Sequence, residues 1–181
     1  MVYINTCSSC IRDDLLKLKS GEPILLSGCV YTARDAAHKR MFMAIDKGEA
    51  LPFPIKDSFI YYAGPTAARP GTVIGSCGPT TSSRMDLYTP DLYKMGLAAT
   101  IGKGERSIDV AQACKKYKTV YLCAIGGAGA LAASSVVSNE VIAFDDLGCE
   151  SIKKLEFENF PLIVGIDTNG SSIFDKRYKI S

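Results

Sequence analysis

Short apolar runs and stretches of helical periodicity follow one another along the chain, separated by turns rich in glycine and proline. Continuous apolar runs with β-branched or aromatic members indicate buried strands, whereas apolar residues three and four positions apart indicate amphipathic helices. Strands are therefore predicted over residues 24–31, 58–63, 72–77, 97–101, 119–125, 141–144, 152–157 and 162–167. Helices are predicted over residues 11–19, 35–46, 90–96 and 108–116.

Turn and cap residues refine this pattern. Asp35 is predicted to cap the second helix, and Thr89 with Pro90 is predicted to start the third. Asn169-Gly170 predicts a type I′ hairpin, with residues 172–174 pairing back on the preceding strand. The glycine-rich segment 126–130 lacks the G-x-G-x-x-G spacing, so it indicates either close backbone packing or an anion-facing turn.

The order of the elements indicates the fold class. Strands and helices mix without a regular strand–helix–strand alternation, so the chain is predicted to be α/β with mixed sheets, not a doubly wound dinucleotide fold. A length of 181 residues suits one domain with a real core, and we expect a single domain over residues 1–181.

Composition and charge exclude several classes of protein. The apolar fraction of 47% and the charged fraction of 22% are ordinary for a globular chain. A net charge of +2, without a basic stripe, argues against a nucleic-acid partner. The apolar runs are too short to span a membrane, and the N-terminus does not resemble a signal peptide. We therefore expect a cytoplasmic protein.

The seven cysteines support the same compartment. Their number is odd, and three of them lie inside apolar runs, which fits a reducing environment better than a disulfide framework. Cys7 and Cys10 form a C-x-x-C motif, but no second pair follows at zinc-site spacing. This motif could be a redox pair, half of a metal site or two thiols at a helix start. The last is favoured because Ser8 or Ser9 could cap the helix that follows.

A loop rich in hydroxyl groups is the most distinctive stretch of the chain. Residues 78–86 read Gly-Pro-Thr-Thr-Ser-Ser-Arg-Met-Asp and lie between a predicted strand and a predicted helix. Ligands gather at the carboxyl ends of strands in open α/β sheets. The short hydroxyl side chains and the planar fork of Arg84 would suit a carboxylate there. On its own, the pattern is equally compatible with a polar surface turn.

Two more cations follow predicted strands. Arg34 lies at a strand-to-helix junction, which favours an anion, although a salt bridge to Asp35 or to a neighbour would also explain it. Lys103 stands between two glycines, where backbones can approach closely, but the spacing is not that of a phosphate-binding P-loop. His38 lies one turn into the second helix, and a packed, hydrogen-bonded imidazole is the simplest interpretation of it.

Several of these motifs, in this order, resemble one known family. The sequence is similar to the C-terminal domain of class I fumarases and L-tartrate dehydratases, which in many prokaryotes is a separate beta subunit. The resemblance covers nearly the whole chain, and Ser83 departs from it because the family usually has glycine there. The matching stretches are Tyr31-Thr-Ala-Arg-Asp-Ala-Ala-His-Lys-Arg, the loop 78–86, Tyr88-Thr-Pro, Gly102-Lys-Gly, Gly126-Gly-Ala-Gly-Ala-Leu and residues 150–161.

The resemblance implies a fold, a reaction and a partner. It implies a swivelling β/β/α domain that acts as the beta subunit of a hydro-lyase interconverting fumarate and L-malate, a reaction of the tricarboxylic acid cycle. It implies an alpha subunit carrying a [4Fe-4S] cluster, with no metal ligands on this chain, and hence a hetero-oligomer. A tartrate dehydratase beta subunit and a non-catalytic anion-binding domain of the same fold are the alternatives.

The resemblance also implies roles for individual residues. Thr80 would be the catalytic base, activated by a carboxylate from the other subunit, because a threonine hydroxyl alone is a poor base. The dicarboxylate substrate would be bound by Arg34, Thr81, Arg84 and Lys103. Asp35 and His38 would orient Arg34 and the subunit junction. Asp86 would cap a helix or pair with Arg84.

Overall fold

A sheet that closes on itself organises the fold. The computed structural model describes residues 1–125, 127 and 129–175. Within these residues, seven strands form one sheet in the order β1-β2-β3-β4-β5-β7-β6, and β2 also pairs with β7. The strands are β1 (Val2–Asn5), β2 (Pro23–Thr32), β3 (Phe59–Tyr61), β4 (Ala99–Gly102), β5 (Val120–Cys123), β6 (Val136–Ala143) and β7 (Ile152–Ile166).

Helices fill the connections between these strands. The α-helices are α1 (Ile11–Lys17), α2 (Asp35–Asp46), α3 (Thr89–Lys94), α4 (Ile108–Tyr117) and α5 (Gly129–Ser134), with 3₁₀ helices at Ser82–Met85 and Asp145–Glu150. Among the described residues, no helix combines the length and the apolar character needed to cross a membrane. The prediction of one α/β domain with a mixed sheet is confirmed.

The direction of the strands determines where the loops meet. Strands β2, β3, β4 and β5 run parallel to one another, whereas β7 runs antiparallel to both β2 and β5. These five strands therefore form a closed, barrel-like sheet, with β1 and β6 added outside it. Because β2 to β5 are parallel, the loops at their carboxyl ends meet at one rim.

Strand β7 closes the sheet because it is one long element, although the sequence predicted two strands in its place. Glu158, Asn159 and Pro161 interrupt the apolar pattern, and Asn159 has a positive φ of 52°. The pairing nevertheless continues, because β2 shifts register between Leu26 and Gly28 opposite this irregularity. Such a bulge accommodates a local interruption without ending the strand.

Alternate residues of the central strands contribute to two hydrophobic cores. In β3, Phe59 and Tyr61 join the first core and Ile60 joins the second. The first core also takes side chains from α1 and β7, whereas the second is covered by α2, α3 and α4. This period of two is the expected geometry of a sheet that is buried on both faces.

Two local predictions are wrong. Residues 72–77 form no strand: Ile74 and Cys77 are buried anchors, but Val73 is exposed and Gly75 hydrogen-bonds back to Thr66. Apolar anchors can therefore produce a strand-like pattern in an irregular loop. The Asn169-Gly170 turn is also not type I′, because Gly170 has a positive φ and Asn169 does not.

The Asp167 side chain explains the geometry of this second turn. Its carboxylate accepts hydrogen bonds from the N–H groups of Asn169 (2.9 Å) and Ser171 (3.1 Å). This local interaction favours an Asx-type turn over the hairpin. Only an isolated bridge between Ile166 and Ser172 remains of the predicted pairing.

Phe157 offers a test of the closed sheet. Its side chain is 1% exposed and stacks on Phe160 with ring centroids 4.5 Å apart. The substitution Phe157→Ala should lower the free energy of unfolding by about 3–5 kcal/mol in urea denaturation. Tyr3→Ala, at a position 70% exposed, is the control and should change it by less than about 0.5 kcal/mol. Equal effects of the two substitutions would contradict the assignment of β7 to the core.

Candidate active site

The predicted loop 78–86 lies along the rim where the parallel strands end. The N–H of Thr80 donates to the carbonyl oxygen of Tyr62, just beyond β3, at 2.7 Å. The N–H of Ser82 donates to the carbonyl oxygen of Lys103, just beyond β4, at 3.0 Å, and Thr81 forms an isolated bridge with Lys103. Backbone hydrogen bonds therefore hold this loop against the ends of two strands.

Arg34 and Arg84 meet at one carboxylate. Arg84 Nη2 lies 2.9 Å from Asp35 Oδ2, and Arg34 Nε lies 3.6 Å from the same oxygen. The two arginine side chains are 25% and 49% exposed, so this cluster faces solvent. A salt bridge between Arg34 and Asp35, one of the two interpretations left open above, is confirmed. Arg84 pairs with Asp35 and not with Asp86, so that expected pairing is wrong.

Glu150 was missed by the sequence analysis as a member of this cluster. Its Oε1 lies 3.1 Å from Arg34 Nη2, and its Oε2 accepts the N–H of Ala36 at 2.8 Å. Glu150 therefore satisfies a free donor at the start of α2, whereas Asp35 is the first helical residue and is not the cap. More than a hundred residues separate Glu150 from its partners, and no local pattern predicts such a contact.

Gly64 makes room for Arg34. A Cβ atom at position 64 would lie 2.7 Å from Arg34 Nη1, which is closer than real Cβ contacts. Glycine at this point therefore allows the guanidinium group to pass beside the backbone that follows β3. The sequence showed Gly64 only as the residue that ends a predicted strand.

Thr80 and Lys103 lie on adjacent loops of the rim. Both residues are half-buried and face each other through their backbones, with the N–H of Lys103 donating to the carbonyl oxygen of Thr80 at 3.3 Å. Within the described part of the chain, neither the Thr80 hydroxyl nor the Lys103 ammonium group has a hydrogen-bond or ion-pair partner. The structure thus brings all five predicted residues, including Thr81, to one rim.

Gly129 lies beside the start of the loop 78–86. Its carbonyl oxygen accepts the N–H of Cys77 at 3.1 Å, and a Cβ at Gly78 would lie 3.5 Å from the Gly129 Cα. Of the two interpretations of residues 126–130, close backbone packing is therefore confirmed for Gly129. Gly126 and Ala128 lie outside the described residues.

His38 packs beneath the cluster. It is fully buried, with Nδ1 3.1 Å from the carbonyl oxygen of Arg34 and with the rings of Tyr62 and Tyr88 each 5.5 Å away. Burial lowers the pKa of His38 from 6.5 to about 4, and the positive charge of Arg106 acts in the same direction. The imidazole is therefore neutral near pH 7, and its interpretation as a packed, hydrogen-bonded side chain is confirmed.

The cysteines do not gather into a metal site. All seven are free thiols, and those of Cys7, Cys10 and Cys149 are exposed. Cys10 directly precedes α1, as expected for a thiol at a helix start, and its N–H donates to Ser8 Oγ at 3.2 Å. The expected cap is wrong, because Cys10 and neither serine holds the N-cap position and no side chain caps α1. Across residues 1–125, 127 and 129–175, no group of three or more His, Cys, Asp or Glu side chains could hold a metal ion. These residues therefore do not fit an iron–sulfur cluster.

The fold and the rim define a class of protein. This is a closed, mixed α/β domain that presents cations and hydroxyl groups at the ends of its parallel strands. Residues 1–177 match the family described as Fumarase C-terminus, and the chain belongs to that family.

Two kinds of relative share this domain. Fumarate hydratase 2 of Leishmania major is 41% identical over 169 residues, which is 92% of this chain but 30% of the relative. The aerobic class I fumarate hydratase of Salmonella typhimurium is 39% identical, over 97% of this chain and 30% of its own length. The putative L(+)-tartrate dehydratase subunit beta of Methanocaldococcus jannaschii is 38% identical, over 96% and 92% respectively. The chain thus spans about 30% of the fumarate hydratases and most of the subunit.

The depressed pKa of His38 predicts a pH dependence of stability. Between about pH 6.5 and pH 4 the unfolded chain binds a proton at this imidazole and the folded chain does not. This group should therefore lower the free energy of unfolding as the pH falls through that window, by about 3 kcal/mol in total.

The matched variant for this test is His38→Gln, because glutamine can donate a hydrogen bond but does not titrate. His38 is the single histidine of the chain, so the difference between wild type and variant isolates its contribution. Urea unfolding at several pH values should show the stability of the wild type falling more steeply with acidification. Parallel curves for the two proteins would show that His38 is not buried in its neutral form.

Proposed function

We propose that this chain is the beta subunit of a class I hydro-lyase that interconverts fumarate and L-malate. The observation that carries the proposal is the placement of Arg34 and Arg84 around one oxygen of Asp35, at the rim where loop 78–86, with Thr80, is hydrogen-bonded to Lys103 after β4. Two guanidinium groups on one carboxylate form a site suited to carboxylate recognition. Membership of the Fumarase C-terminus family, and the fumarate hydratase names of several relatives, also support the proposal.

The charges of the rim suit a dicarboxylate. Arg34, Arg84 and Lys103 supply three positive charges, and Asp35 and Glu150 offset two of them. A substrate with two carboxylates could exchange with Asp35 on Arg84 while it also binds Lys103. Guanidinium groups suit this exchange, because they are weakly hydrated and bind carboxylates with a planar fork.

Thr80 is the candidate for proton transfer. Interconversion of fumarate and malate moves a proton on or off a carbon next to a carboxylate, which requires a base near that carbon. The Thr80 hydroxyl is uncommitted among the described residues, but a hydroxyl needs a neighbour that takes its proton. We assign that neighbour to a second chain, and we assign to Thr81 a hydrogen bond to a substrate oxygen.

The partner is an alpha subunit, and the active enzyme is a hetero-oligomer. Some relatives of this chain's length are named as beta subunits, whereas the fumarate hydratases continue well beyond the matched region. We place the [4Fe-4S] cluster in the alpha subunit, because the described residues of this chain do not fit one. We further propose that residues 1–181 form one domain of the swivelling β/β/α type and that the enzyme is cytoplasmic, with a role in the tricarboxylic acid cycle.

L-Tartrate dehydratase is the second candidate function. The relatives from Methanocaldococcus jannaschii and Escherichia coli with that name are 38% and 31% identical, and the match covers 92% and 85% of their lengths. In both reactions the substrate is a dicarboxylate with a hydroxyl group on the carbon next to a carboxylate. A non-catalytic anion-binding domain of the same fold is the third candidate.

One assay separates these candidates. The chain should be co-expressed with a partner corresponding to the remainder of the single-chain fumarate hydratases, purified without oxygen, and assayed with fumarate, L-malate and L-tartrate. The proposal predicts hydration of fumarate by the pair, with a higher kcat/KM for malate than for tartrate. A reversed ratio would establish the tartrate enzyme. Full activity of this chain alone and without iron, or no activity of the pair with any of the three, would contradict the proposal.

A substitution at Thr80 tests its role in proton transfer. Thr80→Ala should lower kcat on the order of 10²–10⁴-fold and change KM by less than about threefold, because the hydroxyl acts in the reaction and not in carboxylate binding. Thr80→Ser keeps a hydroxyl and should recover much of the rate. Ser83→Ala, an exposed position on the same loop, is the matched control and should leave both constants unchanged. An unchanged kcat in Thr80→Ala would exclude Thr80 as the base.

A further inference from the structure

Arg106 lies buried beneath the rim. Its side chain is 0% exposed, and its Nε donates to Asp86 Oδ1 at 2.6 Å. The two terminal nitrogens donate to Thr100 Oγ1 on β4 at 3.2 Å and to Thr89 Oγ1 on α3 at 2.7 Å. The guanidinium group is therefore hydrogen-bonded to three separate parts of the chain, and none of its nitrogens reaches the surface.

Two tyrosine rings complete the surroundings of this guanidinium. The Arg106 Cζ lies 4.8 Å from the ring centre of Tyr121 and 5.3 Å from that of Tyr62. The Tyr121 hydroxyl hydrogen-bonds to the carbonyl oxygen of Gly104 (2.9 Å) and to Ser82 Oγ (3.0 Å). Tyr121 thus contacts both loops that the ion pair joins.

Asp86 is the carboxylate partner of Arg106 in this buried ion pair. Its side chain is 14% exposed, and its second oxygen accepts the N–H of Ser107 at 2.6 Å. Asp86 follows Arg84 by two residues, and Arg106 follows Lys103 by three. The buried ion pair therefore joins the two loops that present Arg84 and Lys103, within three residues of each cation along the chain.

Stability alone does not account for an ion pair in this position. Desolvation of two charges offsets most of their attraction, and apolar residues of similar volume often stabilise a protein as well or better. The ion pair between Asp86 and Arg106 specifies the relative position of the two loops, which apolar residues in its place would not do. The fork of Arg106 accepts few other arrangements of Asp86, Thr89 and Thr100.

We propose that Arg106 is a positioning residue: through Asp86 it sets the spacing between Arg84 and Lys103 that a dicarboxylate requires. Arg106 does not contact the substrate, and the inference rests on the proposed function for the roles of these two cations. A variant that loosens the link should bind the substrate more weakly, and the proton-transfer step should be affected less, because Thr80 is held by the backbone of Tyr62.

The test uses Arg106→Lys in the two-chain enzyme, because lysine keeps the charge but lacks the planar fork. The expected result is a KM for malate raised by about tenfold with kcat within about twofold of wild type. A merely structural residue would behave differently, because partial unfolding reduces the amount of active enzyme and hence the apparent kcat, but leaves KM unchanged. That second pattern would overturn the proposal.

A matched control is available at another ion pair. Arg12 pairs with Asp57 at 2.6 Å and also donates to the carbonyl oxygen of Gly96, away from the rim. Arg12→Lys makes the same chemical change and should leave KM unaltered. An equal rise of KM in Arg12→Lys would show that the effect is not specific to the link under the rim.

Hydrogen exchange gives a readout that does not depend on activity. In the two-chain enzyme, Arg106→Lys should speed exchange of the N–H groups of Ser82, Lys103 and Ser107 relative to wild type, with β7 unchanged. Unchanged exchange at these three positions would overturn the proposal. If the wild-type pair has no dicarboxylate activity, the proposed function fails, and exchange still shows whether Arg106 holds the two loops together.

Tyr121→Phe provides a second test of the proposal if the Arg106→Lys variant does not fold. This variant keeps the ring beside the guanidinium and removes only the hydroxyl that contacts Gly104 and Ser82. It should raise KM about threefold and speed exchange at Ser82 and Lys103. If both quantities equal those of wild type, the proposal is wrong.

Discussion

The pairing of β7 with both β2 and β5 is the constraint on which the rest of the structure depends. It closes the sheet around β2 to β5, which run parallel to one another, so that their carboxyl ends share one rim. Without this closure, the loops that follow β2, β3 and β4 would belong to an open, twisting sheet. The closed sheet brings together polar residues that lie as far apart in the sequence as Arg34 and Lys103.

Like charges at this rim are held together by carboxylates. Asp35 lies between Arg34 and Arg84, and Glu150 contacts Arg34 and the start of α2. Beneath them, His38 stays neutral because it is buried, and Arg106 has its own counter-charge in Asp86. The exposed arginines thus remain open to exchange with an anion, whereas the buried charge of Arg106 is already neutralised by Asp86. This difference separates residues that would bind substrate from residues that position them.

Local structure could be predicted from the sequence where local periodicity determines it. The bounds of α2 agree with the prediction, and those of β2 differ from it by only one residue at each end. Both elements could be predicted because their apolar patterns are regular. The resemblance to a family supplied the site residues, and the structure brings them to one rim. Contacts between distant residues could not be predicted: Glu150 with Arg34, Arg84 with Asp35, and Asp86 with Arg106. Such partners depend on the closed sheet, which no local pattern records.

The central claim is that these loops form half of a dicarboxylate site that a second chain completes. The most direct measurement is a crystal structure of the two-chain enzyme, prepared without oxygen and with bound L-malate. The account predicts the substrate carboxylates within hydrogen-bond distance of Arg34, Arg84 and Lys103, with Thr80 facing the carbon that loses the proton. A dicarboxylate bound away from this rim, or held by the second chain alone, would contradict the account.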